Sequence, residues 1–258
     1  MQLKLGILSV SSIIVLLLAA ILPPIDQPIA YHQFADQALL FGIPNFLNVV
    51  SNLAILLSGV VGLWYVRQCY RVSGQQGFIN QAECWPYFIL FLSVVATGFG
   101  SAYYHWAPNN ETLLWDRLPI AIGIGALLAA VMVERISLLV GLWALPLLVM
   151  LGAASVVYWY WTELWGAGNL NFYIVVQFYS LLLVVLLGIF FPSQYTRGND
   201  MYKVIGLYAV AKVAETFDQA IYSLGQVMSG HTIKHFLAAL AIYMIVRMLQ
   251  QRTPLPRG

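Results

Sequence analysis

His231 and His235 stand four residues apart near one end of the chain, and Ser101 and His105 share that spacing near its middle. Residues four apart on a helix project from one face, about 5–6 Å from each other at Cβ. Three imidazoles drawn from two helices leave one tetrahedral position open for water. That is the pattern of a catalytic zinc site rather than a closed structural one. Asp116 follows His105 by eleven residues, across a short turn. It can return beside such a metal as a partner to the ligands or as a carrier of protons.

The elements that must position these residues are membrane helices. The chain has 258 residues, 61% of them hydrophobic and 9% charged, whereas a soluble domain is about 25% charged. Its apolar residues fall in runs of roughly 20, the length a helix needs to cross a bilayer. They do not alternate with polar residues as barrel strands would. The expected class is therefore an all-α integral membrane protein. Eight spans are predicted, at 5–23, 46–66, 85–105, 113–133, 137–158, 170–191, 202–223 and 231–249. The last seven form a core and the first is an addition to it, all within one membrane domain, 1–258. The first run could also be read as a signal peptide with Lys4 as its charged start. Leu18-Ala19-Ala20-Ile21 is a poor cleavage site, which favours a retained helix. A net charge of +2 is too small and scattered for a nucleic-acid footprint. Two cysteines, Cys69 and Cys84, are too few for a disulfide framework.

Basic residues set the expected orientation. Lys4, Arg67, Arg71, Arg135, Arg197, Lys203, Arg247, Arg252 and Arg257 fall at one set of span ends, and only Arg117 and Lys234 at the other. The positive-inside rule then places both termini in the cytoplasm of a multi-pass cell (inner) membrane protein. Cys69 and Cys84 fall on that side and are expected as reduced thiols. All four histidines fall at the outer ends of the spans. Tyr103, Tyr104, Trp106, Trp115, Trp159, Trp161 and Trp165 crowd the same ends, as in an interfacial belt. Ser101, His105, Asp116 and Arg117 then lie at or near bilayer depth, where polar groups are costly and mark function by default.

Other polar residues read as structure first. Lys212, Glu215 and Asp218 lie along the seventh span. Lys212 and Glu215 are expected to pair within the helix, facing the bundle interior, and Asp218 is near enough to the outer end to serve the site. Arg117 is expected as an ion pair with Asp116 or an interfacial anchor. Asn48, Ser51 and Asn52 are expected to hydrogen-bond between helices. Asp26, His32 and Asp36 could bind a cation or a substrate headgroup, with a solvated loop the favoured reading. The tail from Arg252 to Gly258 is expected to be a loose end.

Taken together, Ser101, His105, Asp116, His231 and His235 resemble the alkaline ceramidase family, part of a wider superfamily of seven-helix membrane hydrolases and receptors that includes the adiponectin-type receptors. SAYYHWAPNNETLLWDRLP is similar to the family's central signature, NVVSNLA at 48–54 to its first core helix and SGHTIKHFLAA at 229–239 to its last. The likeness spans residues 31 to 249 or thereabouts and looks closest to a shorter, prokaryotic branch. It implies zinc held by His105, His231 and His235, with Asp116 positioning the attacking water and moving its proton, and Ser101 stabilising the oxyanion. It implies hydrolysis of a ceramide amide to a sphingoid base and a fatty acid. Eukaryotic members carry an acidic, tryptophan-containing cluster that binds Ca2+. Here the matching stretch YHQFADQALLFGIPN has one acid, Asp36, and calcium dependence is not carried over with the rest.

The expected function is therefore a zinc-dependent membrane amidase acting on ceramide or a ceramide-like N-acyl lipid. Three alternatives stand beside it: a non-enzymatic receptor with structural zinc, a hydrolase of another lipid bond such as a phospholipid ester, and a transporter relaying through Lys212, Glu215 and Asp218. The last expects an interruption in the seventh span, and none is obvious in the sequence.

Overall fold

The computed structural model describes residues 2–71 and 77–256, and among them helix is the dominant regular structure, with no strand. The chain is an all-α membrane protein. Seven helical stretches are long and apolar enough to cross a membrane: Gln2–Ile21, Phe46–Arg71, Gln81–Trp106, Asn110–Arg135, Leu138–Leu164, Asn171–Phe190 and Gly230–Gln251. We label them α1 (Gln2–Ile21), α2 (Phe46–Val50) running into α3 (Asn52–Arg71), α4 (Cys84–Trp106), α5 (Asn110–Arg135) and α6 (Leu138–Leu164). Next come α7 (Asn171–Ile174) and α8 (Ser180–Phe190), joined by a π-helical turn at Val175–Tyr179. The chain ends in α9 (Asp200–Thr216), α10 (Asp218–Ser223) and α11 (Gly230–Gln251).

The seventh expected span, 202–223, is the exception. It breaks at Phe217 into α9 and the six-residue α10. Two local causes are visible. Thr216 Oγ1 donates back to the Lys212 carbonyl at 2.9 Å, a bond that disturbs helix ends. Asp218 turns its carboxylate outward to accept from the backbone N–H groups of Ala35 (2.9 Å) and His231 (2.7 Å). The uninterrupted seventh span expected from sequence is thus corrected. The rise of the π turn was equally invisible in the apolar run that contains it.

α5 is the most enclosed of the long helices. It packs between α4 and α6 and also meets α8; α3 joins α4 to α11, and α11 lies against α9. α1 sits outside this ring, with α7 and the π turn as its main neighbours, tied on by Asn171 Nδ2 donating to the carbonyls of Ala19, Leu22 and Pro23. In a bilayer, close approach of backbones replaces the hydrophobic drive between helices. Gly100 permits it where it matters: a Cβ there would stand 2.1 Å from the Trp115 carbonyl oxygen, so α4 and α5 touch beside Ser101 and Asp116.

Two expectations about the surface need correction. Tyr104 and Trp159 are buried and belong to a core cluster with Phe34, Leu113 and Tyr173, not to an interfacial belt; Trp106, Trp115, Trp161 and Trp165 are exposed. The tail is not loose as far as it is described. Arg252 is buried, donating from Nε to the Gly77 carbonyl (2.6 Å) and from Nη1 to Glu134 (3.1 Å), with its guanidinium 4.0 Å from the Tyr195 ring centre. Beside it the Thr196 N–H donates to the Thr253 carbonyl and the Thr253 N–H to Thr196 Oγ1. Arg257 and Gly258 lie outside the described residues. Cys69 and Cys84 are free thiols.

Candidate metal centre

The last turn of α4 delivers His105, whose carbonyl is held by Asn45 Nδ2 at 2.8 Å. α11 delivers the other two imidazoles in its first turns. Its start is fixed three ways: Ser229 caps it by accepting from the Thr232 N–H, Asp218 takes the His231 N–H, and Gly230 lies under the Ala214 carbonyl with no room for a side chain. Asn48 adds an accepted bond from Thr232 Oγ1 at 2.8 Å, joining α2 to α11.

These supports bring one ring nitrogen each from His105, His231 and His235 within 4.8 Å of one another, and all three residues are buried. His105 Nε2 is 3.2 Å from His231 Nε2, and ring centres lie 4.7–5.0 Å apart. His105 Nδ1 and His235 Nε2 have no hydrogen-bond partner. Leaving buried polar atoms unsatisfied costs about 1–3 kcal/mol each, so a cluster with two of them calls for an explanation. Three buried imidazoles gathered this closely could hold a metal ion.

His235 Nδ1 meets Ser51 Oγ at 2.7 Å. Sequence reasoning had Ser51 as a bond between helices. It is one, but its partner is a site histidine, and spacing alone carried no signal of that. Phe34 was missed altogether: its ring centre is 4.6 Å from that of His105 and 5.0 Å from that of His231, closing the cluster from the side of the 24–45 loop. That loop is largely exposed, as expected, but not at every residue singled out from the sequence. Asp26 is exposed, but Asp36 is buried with Oδ1 accepting from the Ala38 N–H, and His32 is half-buried between Tyr104 Oη and Asn110 Oδ1, each at 3.0 Å. Burial lowers the pKa of His32 below its ordinary 6.5, against the opposing bond from Asn110. Neither residue joins the three-histidine group.

Ser101 and Asp116 face each other from α4 and α5, the carboxyl interacting with the hydroxyl, and both line a cavity of about 320 Å³. The gathered metal group contains no carboxylate; Asp116 is outside it and shares with His235 the lining of this cavity. The cavity also takes in His235, and beyond it runs between apolar walls that include Ile55, Leu90, Leu127, Leu181 and Ile245. Ile245 lies ten residues past His235 on α11, which is about 15 Å along a helix. The cavity is therefore polar at the histidine end and long and apolar below.

Lys212 pairs with Glu215 as expected, and a third member joins them. Lys234 donates to Glu215 Oε1 at 2.8 Å and also lies 2.9 Å from His231 Nε2. Sequence counting put Lys234 among the outer basic residues. Its position three after His231, on the same helix face, was the available clue. Of the span-two amides, Asn52 bonds only within its own helix, to the carbonyls of Asn48 and Val49. Arg117 makes no ion pair with Asp116. It lies among the rings of Trp159, Tyr173 and Tyr31, with its carbon Cζ 4.4, 4.8 and 5.2 Å from their centres.

Fold and site define an all-α membrane protein with a buried three-histidine group, one member of which, His235, lines a largely apolar cavity. Comparison with protein-family models finds no match, and comparison with curated proteins finds none either.

Proposed function

We propose that the chain is a zinc-dependent membrane hydrolase that cleaves the amide of a ceramide-like N-acyl lipid. The observation that carries this is the juxtaposition of three buried histidines, a carboxylic acid and a hydroxyl at the head of a cavity shaped for an acyl chain. Zinc suits the donor set. Nitrogens about 2.0–2.1 Å from a tetrahedral zinc stand about 3.3–3.4 Å apart, close to the 3.2 Å between His105 and His231. Lys234 touches the same His231 nitrogen, but Glu215 holds its ammonium independently, so releasing that contact leaves Lys234 paired.

Zinc bound there would bring the pKa of water toward 7 and polarise a carbonyl. The protein's own residues supply the rest. Asp116 accepts the proton of the attacking water and returns it to the departing amine, as a general base that becomes a general acid. Ser101 donates a hydrogen bond to the oxygen on which charge develops. The apolar walls from Ile55 to Ile245 bury the acyl chain and fix the amide at the polar end. Phe34, packed against the rings of His105 and His231, screens that side of the cluster from bulk water.

The test is fatty-acid release from a panel of N-acyl and O-acyl lipids, with and without a zinc chelator. Release from N-acyl lipids that stops on chelation and returns with zinc supports the reading. Release from O-acyl lipids alone assigns the site to another lipid bond, and zinc bound without any release assigns it to a receptor. We place both termini in the cytoplasm and the histidines near the outer face. A tag after Gly258 reachable only from outside would invert that.

A further inference from the structure

Arg117 is a buried cation that the amide chemistry does not use. It follows Asp116 on α5, is 5% exposed and lines the same cavity. The cavity's other cations are satisfied: Lys212 and Lys234 share Glu215. At the opposite end Arg252 has Glu134 and a carbonyl, and Arg135 has three carbonyls. Arg117 has no ion pair among the described residues, and its Nη1 has no hydrogen-bond partner at all.

Taking a guanidinium out of water is costly unless an opposite charge or full hydrogen bonding offsets it. The three rings around Arg117 return part of that cost through cation–π attraction. They also fix the plane of the fork, but a ring face offers no acceptor for Nη1. A rigid, dry guanidinium fork with a free N–H edge is complementary to a planar carboxylate. Its place on the chain narrows the ligand further. Asp116 and Arg117 are adjacent, so their Cα atoms are about 3.8 Å apart. Both side chains also line the one cavity, so a carboxylate at Arg117 shares that space with the bond that Asp116 would serve. In an N-acyl amino acid the carboxylate carbon is two bonds from the amide nitrogen.

We propose that Arg117 is a carboxylate receptor, and that the lipid this cavity takes carries a carboxylate at its polar end. The chemistry rests on the amide-hydrolase reading; the carboxylate site itself can be tested without it. One source of the group is the head of an N-acyl amino acid. The other is the fatty acid released by hydrolysis.

The experiment uses the full chain in detergent, with N-oleoylglycine, its neutral analogue N-oleoylglycinamide, and oleate as probes. Wild-type protein should show a KM for N-oleoylglycine about ten- to a hundredfold below that for the glycinamide, the range of a charge-assisted pair. Arg117→Gln should bring the ratio near one, and Arg117→Lys should keep part of it. A ratio of one in wild type, together with oleate inhibition weakened about tenfold or more by Arg117→Gln, places the released acid at Arg117 instead. Equal KM values with unchanged oleate inhibition overturn the proposal. Should neither amide be cleaved, the hydrolase reading rests on the wider lipid panel, and binding decides the subsite. Trp159 lies against Arg117, so tryptophan quenching reports binding there. Tighter binding of N-oleoylglycine than of the glycinamide keeps the subsite, and equal binding removes it. If neither variant folds, this wild-type comparison decides alone.

Discussion

Ser51→Ala isolates one atom of the proposed zinc site. Ser51 Oγ donates to the Asn48 carbonyl at 3.3 Å, so its lone pair faces His235 Nδ1, 2.7 Å away. Zinc held by Nε2 requires the proton between them to sit on Nδ1. That leaves Nε2, which has no partner, with the lone pair a metal needs. Removing the hydroxyl leaves a buried N–H unsatisfied, at about 1–3 kcal/mol. It also frees the ring to turn or to move its proton to Nε2. Loss of such a supporting partner lowers metal affinity about 10–100-fold, or about 1.4–2.8 kcal/mol. The assay is competition for zinc against a chromophoric chelator, paired with thermal melts with and without chelator. The gap between the two melts should shrink in the variant, because metal-linked stability falls with affinity. Unchanged zinc affinity in a folded Ser51→Ala protein would refute the tautomer assignment, and with it His235 Nε2 as a ligand atom.

Three further outcomes are expected. Gly100→Ala must push α4 from α5, since its Cβ would meet the Trp115 carbonyl at 2.1 Å. Overpacking of this kind costs about 1–3 kcal/mol, and lipid hydrolysis should fall further than zinc content because Ser101 and Asp116 are displaced rather than the three histidines. His32 is easier to protonate in the unfolded chain than in the fold, where burial lowers its pKa. Stability should therefore be complete above 6.5 and decline as pH falls below it, and His32→Gln should flatten that part of a melting-temperature profile; an unchanged slope would remove His32 as its source. Arg252→Ala takes the nearer cation from buried Glu134 and leaves it only Arg135, with Nε 3.9 Å away, a change worth up to about 3–5 kcal/mol. The melt should drop accordingly, and a drop of only a degree or two would mean that the tail is not docked in solution.

The sequence by itself determined the class of protein and the small set of polar residues worth watching. Runs of about 20 apolar residues admit only helices in lipid. The spacing of His231 and His235 puts two imidazoles on one helix face whatever surrounds them. What tertiary structure decided is everything that depends on which helix lies against which. Ser51 reaches His235 across 184 positions of chain, and Phe34 covers His105 from a loop with no periodicity to read. Phe217 ends α9 because Asp218 is drawn to Ala35 and His231, partners that no local pattern names. Arg117 and Lys234 look alike in a count of basic residues. Packing gives Lys234 a carboxylate and gives Arg117 aromatic neighbours, Tyr31 among them, but no ion pair among the described residues. The reason is physical: local sequence sets backbone geometry and face, whereas the cost of a buried polar group depends on neighbours brought together only when the bundle closes.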